Sequence, residues 1–454
     1  MVSGVYRLTT IGQKVNDTLV QFDSLRSRLI IGTTWNLFAA VSNQGSTFAI
    51  NIIIARILGR QVFGEYSMVL ATLLSIVGLV QLSMGYTATK YVAEFRSTDR
   101  EKTGRILGLC TVVSIAMACI GALILVTIAP WLAAHALKAA HLKTTLTIGT
   151  GFLLFSSINS YQMGVLAGLE SFRSLARAGV MSGVVAILCI SLGAWLLGLN
   201  GAVLGLTVTS LLRYIFHKWW LRAELRQQAV KVRYDSLGQE RKIIYNFSVP
   251  AAISGCYSLP MIWLANSILV RQPGGYEQMA LYSAATSIRL LVLFLPHVIN
   301  NVGLSVLNYV KGRRDQPLYS RVFKSNVLVI FTSTLAMAAL VSVFGEFILR
   351  AFGKDFSAGH LVLWILLIST APESISIAIY QYIHSHERLW LSFLGIVIPR
   401  ETLLVVLAYF LAPGSGAFGL AWAYLIASLV GLFCTSIIAV EARRQNRSRS
   451  ECIV

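Results

Sequence analysis

Acid is scarce in this chain. Only 19 of 454 residues are Asp or Glu, charged residues of both signs make up 13%, and there are nine prolines, six cysteines and seven histidines. A soluble domain is about one-quarter charged, so these residues cannot supply a water-facing surface, and a soluble enzyme is excluded. A disordered chain is excluded too, since disorder needs low hydrophobicity. The six cysteines form no CxxC and no Cys/His cluster, which leaves no metal site and no disulfide framework. No GxxxxGK[ST] loop is present, so the chain is not an ATP-driven pump by itself. The first 28 residues hold no short apolar core before a cleavage site, and no cleavable signal peptide is expected.

Apolar residues are abundant instead: 56% of the chain, with a mean hydropathy of +0.69. Apolar stretches lie near 29–54, 64–86, 106–129, 146–168, 176–198, 201–221, 246–270, 279–303, 324–348, 360–383, 389–411 and 417–440. Each is long enough to cross a hydrocarbon core of about 30 Å, which takes roughly 20 helical residues. Backbone groups must be satisfied internally in lipid, so the spans are predicted to be α-helices. The expected fold is an all-α polytopic membrane protein of about 12 transmembrane helices.

The scarce charges lean one way, 38 Lys and Arg against 19 acids. With both termini placed in the cytoplasm, 29 of the 38 bases fall in cytoplasmic segments, seven fall outside, and Arg289 and Arg400 lie within spans. That asymmetry fixes the expected orientation. It also explains the +19 net charge without a nucleic-acid partner. Basic loops and the Arg443–Arg449 tail are read as topology signals and contacts to anionic lipid.

The chain repeats itself at a spacing near 216. Tyr66-Ser67 recurs as Tyr282-Ser283, Tyr161-Gln162 as Tyr380-Gln381, Glu170 as Glu387, and Gly201-Ala202 as Gly416-Ala417. Each half holds six spans, an even number, so the two are parallel repeats. The expected organisation is a cytoplasmic N-terminal segment (1–28), a first six-helix bundle (29–221), a cytoplasmic linker (222–245), a second pseudo-symmetric six-helix bundle (246–440) and a basic cytoplasmic tail (441–454). Two bundles facing each other across a cleft is a transporter plan.

Four charges lie deep in spans: Arg289, Glu373, Arg400 and Glu401. At about 1.5 Å per residue they share one level near the bilayer midplane. An intramembrane charge costs at least about 2.5–3.5 kcal/mol and therefore faces a partner or a wet cavity. Cleft lining and a buried ion network that locks helices together are both open on these residues. Pro372 is expected to break the helix beside Glu373. The first half has no midplane charge, but span 1 carries a polar face of Asn36, Asn43, Thr47 and Asn51, and span 4 carries Ser157 and Asn159. These residues fit cleft lining and helix–helix contact equally well. No catalytic residues, metal or cofactor are expected, with proton or sodium coupling left open.

Residues 55–67, Ala-Arg-Ile-Leu-Gly-Arg-Gln-Val-Phe-Gly-Glu-Tyr-Ser, resemble the A-R-x-L-G-x-x-x-[FY]-G-x-[FY] signature of the polysaccharide flippases. These belong to the superfamily of multidrug, oligosaccharidyl-lipid and polysaccharide exporters. Gly168–Phe172 and Ala421–Tyr424 resemble later segments of that family. The resemblance implies a V-shaped pair of bundles in the bacterial cytoplasmic (inner) membrane. It implies alternating-access flipping of an undecaprenyl-diphosphate-linked oligosaccharide for O-antigen, capsule or exopolysaccharide, alongside other polysaccharide assembly proteins. Arg289 would meet the diphosphate. Where relatives carry an Asp late in span 7, this chain has Asn266. The competing readings are a multidrug/cation antiporter of the same superfamily and a membrane-embedded glycan polymerase or ligase. The latter is weakened by a longest external loop of only residues 130–145.

Overall fold

The computed structural model describes residues 2–235, 237–312, 316–384 and 389–451. Its helices are α1 (Val2–Val80), α2 (Met84–Phe95), α3 (Arg100–Trp131), α4 (Leu142–Gly168), α5 (Phe172–Gln227), α6 (Arg241–Ile243), α7 (Val249–Val270), α8 (Gly275–Gly312), α9 (Gln316–Phe352), α10 (His360–His384), α11 (Leu389–Ser392) and α12 (Ile398–Glu451). The exterior is apolar: Trp195, Phe347 and Val343 are among the many large hydrophobics left exposed, as a lipid-facing surface requires.

Three helices, α1, α5 and α12, are long enough to cross a bilayer twice. α5 has 56 residues, which would extend about 84 Å if straight. It is not straight. Gly198 takes φ 58° and ψ −136°, and Gly416 in α12 takes φ 58° and ψ −134°. Only glycine adopts that backbone readily. The chain doubles back at both, bringing Gly201 onto the carbonyl of Gly193 and Gly419 onto that of Leu411. α1 bends back at Gly59, so that Phe48 and Phe63 both pack on Phe352. With these three counted as two arms each, the described residues supply twelve membrane-length arms, matching the twelve apolar stretches. No loop separates spans 1 and 2, 5 and 6, or 11 and 12.

The repeat is visible in the backbone. The residues of positive φ at one end of the molecule pair up: Gly59 with Gly274 and Lys138 with Gly353, both 215 apart, and Gly198 with Gly416, 218 apart. The sequence match of Gly201 to Gly416 is therefore corrected by three positions, because Gly201 and Gly419 make the equivalent contact.

That end of the molecule is closed. Arg56 donates to the Ala351 carbonyl, Arg271 to those of Ala136 and His135, and Tyr276 to that of Leu137. A shared core runs through both halves there, with Phe63 and Tyr66 packed near Phe352 and Phe356. Farther along, α1 and α8 are joined by Asn51 donating to Ser287 at 2.9 Å. The α1 residues before it, Val41, Asn43, Gly45 and Thr47, are alternately exposed. The halves stay joined along the other seam, where Trp263 of α7 donates to Thr72 and Thr87 bonds Ser248. The cleft thus opens away from the glycine turns.

The linker is docked rather than free. The Arg233 amide donates to the Gly104 carbonyl, Arg105 pairs with Glu240 at 3.3 Å, and Gly104 and Gly108 leave no room for a side chain beneath the backbone of residues 231–233.

Candidate functional site: a charged cluster beside a membrane cavity

α8, α10 and α12 converge on one side chain. Tyr424 lies one turn before Ser428 on a stripe that continues through Gly431 and Thr435, spacings of four, three and four that keep one helix face inward. Its hydroxyl receives Nη1 of Arg289 and Nη2 of Arg400, each at 2.9 Å, and itself donates to Oε1 of Glu373 at 3.1 Å. Arg289 also donates to Oε2 of Glu373 at 2.5 Å. Arg400 stands 3.6 Å from both Glu373 and Glu401. The Arg289 guanidinium rests 4.3 Å from the Tyr424 ring centre, within cation–π range.

The four charges expected at one level do meet, and they neutralise one another. Two guanidinium groups and two carboxylates give no net charge, and each buried ion has partners, as burial demands. Arg289 is 6% exposed and sits behind the wall, whereas Arg400 and Glu373 reach a cavity of about 450 Å³. Its other walls are Ser258 of α7, His297 and Asn300 of α8, Ser376 and Tyr380 of α10, Glu401 of α12, and the Ser428–Thr435 stripe. Gly431 makes room for the arginine: a Cβ there would lie 3.0 Å from Cδ of Arg400. The helix is not broken at Pro372. α10 runs through it, and Ser376 caps the Pro372 carbonyl at 2.8 Å.

The polar positions of the first half have separate fates. Asn51 bridges the halves, and Asn43 and Thr47 lie exposed on the same helix face, with Thr47 bonded to the Asn43 carbonyl. The side chain of Asn36 lies outside the described residues. Ser157 and Asn159 are buried inside the first bundle; Ser157 bonds the Leu153 carbonyl and Asn159 that of Ser210. Asn159 thereby ties α4 to α5, while the Ser157 bond stays within α4. Among the described residues, no group of three His, Cys, Asp or Glu could hold a metal.

Sequence reasoning missed Tyr424 as the hub, although the Tyr-Ser-Gly-Thr stripe at helical spacing marked that face. It also counted Arg213 among the 29 cytoplasmic bases, although the residue falls within the 201–221 stretch. The structure puts Arg213 inside the second arm of α5, part-buried in the first bundle.

The family model for polysaccharide biosynthesis proteins matches residues 29–307, more than half of the chain. The chain belongs to that family. This polysaccharide biosynthesis protein is 22% identical over 408 residues to the EPS I polysaccharide export inner membrane protein EpsE of Ralstonia nicotianae, covering 88% of this chain and 91% of that one. Its fold is similar to that of solved transporters. A multidrug resistance MATE family transporter of the MOP superfamily in an inward-facing conformation superposes with a TM-score of 0.73 at 14% identity, covering 90% of this chain and 99% of the other. An outward-facing conformation of a MATE family transporter gives 0.65 at 17% identity, over 93% and 96%. The polysaccharide biosynthesis protein is thus a multi-pass membrane protein with the fold of those transporters.

Proposed function

We propose that this protein exports a lipid-linked oligosaccharide by flipping it across the cytoplasmic membrane. The glycan head crosses through the cleft while the lipid tail stays in the bilayer. The observation that carries the reading is the cavity of about 450 Å³ walled by Arg400, Glu373 and hydroxyl groups, within a chain of a polysaccharide family. Its volume lies in the range of small-ligand sites, about 300–1,000 Å³. It holds part of a headgroup, and the open cleft takes the rest. Ser258, Ser376, Tyr380, Ser428 and Thr435 suit sugar hydroxyls, and Arg400 is the cluster's accessible cation.

The bias of basic residues puts the open end in the cytoplasm, so the conformation is inward-facing. The resemblance to EpsE, named as an export protein, agrees with outward cargo. A multidrug antiporter for cationic cargo would need a net acidic site, and the cluster here is neutral. Alternating access requires the Asn51–Ser287 contact to part when the cleft turns outward. In the host cell, deletion should leave the lipid-linked oligosaccharide on the inner leaflet and abolish surface glycan. Wild type should restore the glycan, and Arg400→Ala, made at normal levels, should not; full restoration by Arg400→Ala would refute the site.

A further inference from the structure

We infer that Arg213 is an anion-binding residue in the first bundle, placed to take the phosphate of the substrate whose glycan the second bundle holds. The inference rests on the lipid-linked reading above.

The argument begins with the repeat. Gly198 and Gly416 mark equivalent turns 218 apart. Carried down the following arm, that offset pairs Ser210 with Ser428, and both hydroxyls bond the carbonyl four residues back. It pairs Arg213 with Gly431 and His217 with Thr435, two walls of the second-bundle cavity. It also pairs Ser182 with Arg400. In the second bundle an arginine from one arm fills the space over a glycine of the next. In the first bundle the small residue and the arginine have traded arms. Arg213 lies fifteen residues beyond Gly198 and Arg400 sixteen before Gly416, so both stand about 22–24 Å from their turns.

The two arginines differ in company. Arg400 is held by Glu373, Glu401 and Tyr424. Arg213 makes no hydrogen bond or ion pair among the described residues, and no carboxylate acts on it. Polar atoms near it are unfinished: His217 Nδ1, one turn along the same arm and within electrostatic reach of Arg213, is buried without a partner, as is Oδ1 of Asn159, whose amide donates to the Ser210 carbonyl one turn before Arg213. A part-buried guanidinium with no counter-ion, at membrane depth, calls for an anion. Its fork of N–H donors matches a phosphate oxygen pair.

The test uses the full chain in lipid nanodiscs, with three probes: undecaprenyl diphosphate, undecaprenol and inorganic pyrophosphate. Wild type should bind the diphosphate lipid, and Arg213→Gln should weaken it about tenfold while leaving undecaprenol binding alone. Arg213→Lys keeps the charge but loses the fork, so it should bind the diphosphate lipid about threefold more weakly than wild type; it also serves if the glutamine variant does not fold, since wild-type binding by the lysine variant would then overturn the assignment. Arg213-dependent binding of pyrophosphate as tight as that of the lipid would still support the anion site and point to a free diphosphate. If Arg213→Gln folds and binds the diphosphate lipid like wild type, the assignment fails and the lipid-linked reading survives. If wild type binds neither diphosphate, both fail.

Discussion

The Tyr424 hydroxyl donates to Oε1 of Glu373 across 3.1 Å, and both arginines of the cluster donate to that hydroxyl. One carboxylate thus holds two guanidinium groups, directly and through the phenol. Glu373→Gln would leave Arg289 buried without its counter-charge. Breaking a buried pair by removing one partner costs about 3–5 kcal/mol, and thermal unfolding should show that loss. Arg289→Met with Glu373→Leu removes both charges and leaves Arg400 its partner Glu401. That double variant should regain most of the stability and still fail to transport. Recovery of transport together with stability would make the cluster purely structural.

Tyr424→Phe keeps the ring under Arg289 but deletes the hydroxyl. Hydrogen bonds to charged groups contribute about 1.5–3 kcal/mol. A moderate loss of stability is expected, below that of Glu373→Gln, because Arg289 keeps its direct bond to Glu373. Transport should fall further than stability does, since Arg400 loses the contact that aims it along the cavity wall. Wild-type stability and transport in Tyr424→Phe would contradict the hub role.

Gly198 and Gly416 share one backbone geometry and differ in neighbours. An alanine in that conformation costs about 1–3 kcal/mol by strain alone. A Cβ at 198 meets open space, whereas one at 416 would lie 2.9 Å from Oε1 of Gln278, which bonds the Ala417 amide. Both Gly→Ala variants should be destabilised, Gly416→Ala more so. Thermal denaturation of the two in one detergent checks the order.

Asn51 and Ser287 tie α1 to α8 where the cleft begins. Cysteines at both positions, joined by a short thiol cross-linker, should stop transport, and a reducible linker should restore it on reduction. Continued transport by the cross-linked protein would show that this seam does not open.

The sequence carried the helices and the repeat because lipid imposes long apolar runs, and duplication leaves matched residues in matched turns. It placed Arg289, Glu373, Arg400 and Glu401 at one level because depth follows from counting along a helix. It could not say which of them pair, because that depends on how each helix is rotated against its neighbours. Arg213 was counted with the cytoplasmic bases because it stands near the inner end of the 201–221 stretch, but α5 continues fourteen residues past it, to Gln227. Ser157 and Asn159 were ambiguous because a polar face suits a partner helix as well as a cleft.

The central claim is that the cargo is a lipid-linked anionic glycan. Purified protein in proteoliposomes offers the most direct measurement: translocation of an undecaprenyl-diphosphate oligosaccharide, set beside ethidium transport under the same proton and sodium gradients. The account predicts flipping of the lipid-linked glycan, its loss in Arg400→Ala, and no ethidium transport. Gradient-driven ethidium transport without glycan translocation would contradict it.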